Sequence, residues 1–160
     1  MSRYEVNSVE ETWEAAKDLS RYLRRGDVVR LEGDLGAGKT TFVQGLAAAL
    51  GASGRVASPT FCIVREHPIK TGKTLETVKR PPDAPSILVH MDLYRLRSEE
   101  DVEAIGWDDY LARGAVMVVE WPDRAGSLIP NDAFRVTFSI PRESEEKRVI
   151  AIDMPAHKVV

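Results

Sequence analysis

Three groups of residues in this chain are typed and spaced for chemistry on a phosphate. The first is Gly33-Asp34-Leu35-Gly36-Ala37-Gly38-Lys39-Thr40, which fits G-x-x-x-x-G-K-[ST]. Glycines at 33, 36 and 38 allow a turn whose N–H groups face inward and let the backbone approach an anion closely. Lys39 brings a point charge for the β and γ phosphates, and Thr40 a hydroxyl for Mg²⁺. Thr41 extends the same turn. The second and third groups are acids that end apolar runs: Asp92 after "ILVHM" and Glu120 after "AVMVV". A phosphate-loop nucleotidase needs a carboxylate near its metal ion and attacking water. One of these acids could bind the ion, and the other could hold a metal-bound water or orient the attacking one. Spacing leaves the two roles open.

These residues need a scaffold, and the flanking sequence supplies one. "VVRLEG" before the glycine turn reads as a strand, and the stretch from Gly38 to Leu50 reads as a helix capped by Gly51. That helix would aim its N-terminal dipole at the phosphates. Parallel strands put their C-terminal ends, and so Asp92 and Glu120, on the ligand-binding edge of a sheet. A second Gly-Lys-Thr, in "TGKT" from Thr71 to Thr74, lacks this context. His67 stands where its first glycine should be, and no apolar strand leads directly into it. Lys70, Lys73, Lys79 and Arg80 around it read as solvated charges.

Other positions are candidates of a second rank. Thr60, in "SPTF", lies between the phosphate-loop helix and the next strand, where a hydroxyl could sense the γ-phosphate. Trp121 directly follows Glu120 and could cover the nucleotide, meet a partner or pack in the core. His90 has no Cys or His cluster near it in sequence, so it reads as a packing residue or one that orients Asp92, not as a metal ligand.

The rest of the chain bounds the class. It has 160 residues, enough for one domain with its own core, and the expectation is a single domain over residues 1–160. Net charge is -3 with acids and bases mixed, so no global field favours nucleic acid or anionic membrane. The lone Cys62 forms no internal disulfide, and the acidic N-terminus lacks a signal-peptide core. No apolar run is long enough to span a membrane. The expected location is the cytoplasm.

Ser8 opens a capping box with Glu11, and Val9, Trp13, Ala16, Leu19 and Leu23 follow at helical spacing. "SPTFCIVREH" suggests a strand. Residues 67–86, with Pro81, Pro82 and Pro85, read as a mobile inserted loop. Ser98 starts a short helix or helix pair broken at Gly106. "AFRVTFSI" and "KRVIAIDM" alternate apolar and polar residues around the turn "PRESEE", the pattern of an antiparallel hairpin. Strands alternating with helices give the expected fold class: α/β, a three-layer phosphate-loop NTPase fold, mostly parallel with an antiparallel C-terminal hairpin.

"GDLGAGKTT", "SPTF", "HMDLYRL" and "VVEWPDR", in that order in a short chain, resemble the TsaE (YjeE) family of bacterial P-loop ATPases. The likeness runs from about Glu5 to Ile152. It implies an accessory role in making N6-threonylcarbamoyladenosine in tRNA. In that family a TsaB–TsaD heterodimer transfers the group, and ATP hydrolysis by TsaE supports repeated turnover. tRNA is then met indirectly, through the complex. By position, Lys39 matches the phosphate-loop lysine, Thr40 the Mg²⁺ threonine and Glu120 the metal-linked glutamate. Asp92 matches the aspartate needed for hydrolysis, and Trp121 the functional tryptophan. The resemblance thus separates the two acids. It also implies ATP and Mg²⁺ as cofactors, with low, partner-dependent activity. The insert at 67–86 is longer than is usual in the family. The competing expectation is a small-molecule kinase, for which Arg80, Arg95 and Arg97 are the obvious lid arginines.

Overall fold

The computed structural model describes residues 1–33, 38–52, 56–57, 63–70, 81–143 and 146–158. Among these residues seven strands form one sheet: β1 (Ser2–Val6), β2 (Val28–Gly33), β3 (Val64–Pro68), β4 (Ile87–Asp92), β5 (Ala115–Glu120), β6 (Phe134–Ser139) and β7 (Arg148–Asp153). Their order across the sheet is β1-β7-β6-β2-β5-β4-β3. The four central strands, β6-β2-β5-β4, run parallel. Antiparallel pairs flank them on both sides: β6–β7–β1 at one edge and β3–β4 at the other. The expected C-terminal hairpin is β6–β7.

Both faces of the centre are covered, which makes three layers. Helices α1 (Val9–Ser20) and α2 (Lys39–Leu50) pack on one face, where Leu19, Phe42 and Leu46 meet Leu31, Val118 and Val136. Helices α3 (Glu99–Ala104) and α4 (Trp107–Ala112) cover the other, with Val102 and Trp107 against Val89, Met91, Met117 and Val119. This explains why β4 and β5 read as unbroken apolar runs: every residue of both is buried. β6 is buried at alternate positions, so it keeps the period-two pattern.

The helix signals hold locally. Ser8 Oγ accepts from Glu11 N at 3.2 Å, and the Glu11 carboxylate accepts from Asn7 N at 2.8 Å. Ser98 caps α3 in the same manner, and Gly106 separates α3 from α4. The buried stripe of α1 differs from the expected one. Thr12, Ala15, Ala16 and Leu19 face the core, while Val9 and Trp13 remain exposed. Trp13 instead lies across Gly45 of α2, where the missing side chain lets the two helices approach.

Residues 67–86 are not all loop. His67 and Pro68 belong to β3, and Ile69 bridges Ala52. At the other end, Arg25 N donates to Asp83 O at 2.9 Å and Arg25 Nε to Ala84 O at 2.9 Å. Ser86 N donates to Gly114 O at 3.0 Å. Prolines mark a non-periodic path here, but backbone pairing with distant segments still holds its ends. β1 carries no strand signal of its own and is held by antiparallel pairing with β7.

Candidate functional site

Four parallel strands bring their C-terminal ends to one edge of the sheet, and the candidate residues collect there. Gly33 ends β2. Its φ is +149°, and a Cβ there would lie 2.6 Å from Phe138 O of β6. Only glycine lets β2 and β6 close this tightly just before the phosphate loop. Gly38, with φ +98°, turns the chain into α2. No side chain among the described residues caps that helix, and the first amides of α2, at Lys39, Thr40 and Thr41, have no intrahelical partners and suit an anion. Phe42 holds this helix end in place through an edge-on contact with Phe138, ring centres 5.4 Å apart. Such a pair contributes about 0.5–1.5 kcal/mol beyond its buried area.

Asp92 and Glu120 are direct neighbours. They face each other in register at the ends of β4 and β5, and both are buried. Leu93 N donates to Glu120 O at 3.1 Å, which locks the two strand ends together. Asp92 Oδ1 accepts from Tyr94 N at 3.0 Å, and Asp92 N donates to Ile63 O at 2.7 Å. Leu31 of β2 flanks Glu120 on its other side.

Lys39 crosses from α2 to meet this edge. Its Nζ donates to Gly33 O at 2.9 Å and lies 3.6 Å from Glu120 Oε1. The other Glu120 oxygen, Oε2, is 2.8 Å from Nε2 of His90, which is fully buried. Burial by itself would raise the Glu120 carboxyl. The hydrogen bond and charge of His90, with the Lys39 ammonium, outweigh burial and hold it below the usual carboxylate range. Glu120 therefore stands ionised beside the phosphate-loop lysine. His90 is fully buried, in line with a packing residue, and its hydrogen bond goes to Glu120, not to Asp92. The reason is the parallel register, which sets Val118 opposite His90 and Glu120 one pleat further on the same face.

Trp121 does not join the core. It is 50 % exposed, with φ +55°, and its ring lies 4.9 Å from that of Tyr94 at a tilt of 51°. This exposed aromatic pair follows the two acids by one and two residues. The segment after it, Pro122–Leu128, is tied to α3 by Glu99, whose carboxylate accepts from Ser127 N at 2.6 Å and from Ser127 Oγ at 2.9 Å. Asp34, Leu35, Gly36, Ala37 and Thr60 lie outside the described residues, as does Arg80.

Sequence reasoning missed Arg65 and His67. In the β3–β4 pairing Arg65 stands opposite His90, and His67 opposite Leu88. Arg65 Nε, His67 Nε2 and His90 Nδ1 are all buried without a hydrogen-bond partner among the described residues. Burial, then the neighbouring His90 and Arg65, lowers the His67 pKa. Only the antiparallel register of an edge strand brings these three groups together, and no motif announces it.

The family model for "Threonylcarbamoyl adenosine biosynthesis protein TsaE" matches residues 6–150, which takes in the phosphate loop and both acids. The chain belongs to the TsaE family. It is 37% identical over 141 residues to the Bacillus subtilis tRNA threonylcarbamoyladenosine biosynthesis protein TsaE, covering 88% of this chain and 78% of that one. The Streptomyces coelicolor TsaE is 40% identical over 124 residues, 77% of this chain and 75% of its own length. The Treponema pallidum TsaE is 34% identical and covers 91% of this chain and 95% of its own. The fold matches a crystal structure of Bacillus subtilis YdiB with a TM-score of 0.70 and 29% identity, over 98% of this chain and 87% of that one. Among the described residues no helix is long and apolar enough to cross a membrane.

Proposed function

We propose that this TsaE-family protein is a Mg²⁺-dependent ATPase of tRNA threonylcarbamoyladenosine biosynthesis that works in the cytoplasm with the TsaB–TsaD heterodimer. One observation carries the reading. Two buried acids lie side by side at the ends of adjacent parallel strands, and the phosphate-loop lysine rests against one of them.

The roles follow from position. The amides at the start of α2 and the Lys39 ammonium receive the phosphates, Lys39 leaving Gly33 O for the β and γ groups. The loop residues Asp34, Leu35, Gly36 and Ala37, with Gly38, complete this cradle. The donor set suits Mg²⁺: Glu120 is ionised with Oε1 toward Lys39, and Thr40 adds a hydroxyl from the first turn of α2. When bound there, the ion neutralises charge building on the transferred phosphoryl group. Asp92 takes the hydrogen bond of the attacking water and orients it. Thr60 senses the γ-phosphate, and Trp121 with Tyr94 forms an exposed aromatic edge for the nucleotide or the partner. Low turnover without the partner is what membership of this family leads us to expect.

The test is phosphate release from ATP, with and without the TsaB–TsaD pair, run beside a screen for phosphorylated metabolites. A rise in release on adding the pair is expected. Unchanged release together with a phosphorylated metabolite would instead mark a small-molecule kinase.

A further inference from the structure

We propose that His90 is the positioning residue of the cation site. It turns Glu120 so that a single oxygen, Oε1, faces the phosphate loop, and it thereby favours Mg²⁺ over Ca²⁺. The inference rests on the reading of Glu120 as the metal-side carboxylate.

The geometry begins with the bond between His90 Nε2 and Glu120 Oε2, at 2.8 Å. An ionised carboxylate only accepts, so the hydrogen sits on Nε2 and the imidazole donates. Neither partner can swing away. His90 is fully buried in the middle of β4, between β5 and β3. Glu120 is buried at the end of β5, with its own carbonyl bound by Leu93 N. His90 Nδ1 has no partner among the described residues, where the ring's hydrogen bond is to Glu120. With Oε2 drawn toward a residue without solvent exposure, a cation arriving from the phosphate loop meets Oε1, the oxygen already 3.6 Å from Lys39 Nζ.

One oxygen per carboxylate has a chemical consequence. Mg²⁺ requires near-octahedral coordination and binds through one or two carboxylates, waters and phosphate oxygens. Ca²⁺ accepts more ligands and often takes both oxygens of a carboxylate. A Glu120 free to rotate could offer both oxygens to Ca²⁺, and His90 prevents it. Partners of this kind, which orient a ligand without touching the metal, typically change metal affinity by about 10–100-fold when removed.

The experiment titrates Mg²⁺ and, separately, Ca²⁺ against binding of a fluorescent ADP analogue, a readout independent of hydrolysis. His90→Asn and His90→Met remove the donor at the Nε2 position, whereas His90→Gln places an amide N–H near it. For both donor-less variants the Mg²⁺ half-point should rise about tenfold or more, with the Ca²⁺ half-point changing far less. His90→Gln should keep the wild-type preference. Melting curves identify any variant that does not fold. If neither donor-less variant folds, His90→Gln decides alone: a wild-type Mg²⁺ half-point supports the role, and a tenfold shift overturns it. A folded His90→Asn or His90→Met protein with an unchanged Mg²⁺ half-point also overturns it. Glu120→Gln separates the two levels of the argument. If its nucleotide binding keeps the wild-type Mg²⁺ dependence, the metal role of Glu120 fails. If it loses that dependence while the donor-less His90 variants keep theirs, only the role of His90 fails.

Discussion

Asp92→Asn should separate turnover from everything else the site does. The amide keeps a carbonyl oxygen for Tyr94 N, which now donates to Asp92 Oδ1 at 3.0 Å. A hydrogen bond to a charged group is worth about 1.5–3 kcal/mol and a neutral one about 0.5–1.5, so the exchange costs roughly 1–1.5 kcal/mol. Glu120 stands directly beside Asp92, so removing one of two adjacent negative charges offsets part of this loss. At about 2–4 °C per kcal/mol for a chain of this size, the melting temperature should fall by no more than about 6 °C. Turnover should respond far more strongly. Loss of a group that orients the attacking water costs about 10²–10⁴-fold, or roughly 2.7–5.4 kcal/mol in the barrier. Nucleotide affinity should stay within about twofold of wild type, because the Lys39 and α2 contacts remain. The assay is single-turnover phosphate release with saturating TsaB–TsaD pair, alongside titration with a fluorescent ATP analogue and a melting curve. Affinity falling in step with turnover would refute the assignment of Asp92 to the water. So would an unchanged single-turnover rate.

Other consequences can be checked independently. Lys39→Ala removes the charge facing the phosphates and should weaken nucleotide binding by about ten- to a hundredfold, equivalent to about 1.5–3 kcal/mol, measurable by calorimetry. The Glu120 carboxyl is held below its ordinary value of 4.5 in the folded protein. Its stabilisation is therefore complete above that value and is lost as pH falls through the lower folded value. Glu120→Gln should accordingly flatten the acid limb of the stability curve, and coincident limbs for the two proteins would count against the His90 and Lys39 contacts. Gly45→Val should drive α1 and α2 apart, because the new Cβ would lie 2.9 Å from the Trp13 backbone Cα. The overpacking cost is about 1–3 kcal/mol by denaturant unfolding, and an unchanged midpoint would argue against this close helix contact.

Much of the site was legible because its signals are local. Glycine, lysine and threonine at set intervals between a strand and a helix can be read without knowing what lies nearby, since the turn and helix start that they need involve only chain neighbours. The same holds for Ser8 and Ser98 as caps, for Gly51 after α2 and for Gly106 between α3 and α4. The unbroken apolar runs before Asp92 and Glu120 were readable because a strand covered on both faces has no polar side to show.

By itself, then, the sequence determined a phosphate loop, the α/β class and two acids at strand ends. Tertiary structure alone decided which of those acids meets Lys39 and which of them His90 bonds. Both depend on strand order and register: β5 lies between β2 and β4, which puts Glu120 nearer the phosphate-loop strand and Asp92 one strand further away. No periodicity along a strand records which strand will lie beside it. The exposed Trp13, the pairing of β1 and the row of half-buried Arg65 with buried His67 and His90 were out of reach for the same reason. Residue type sets what a side chain can do, but its partner across the sheet, chosen by hydrogen bonds and packing far away in the chain, sets what it does.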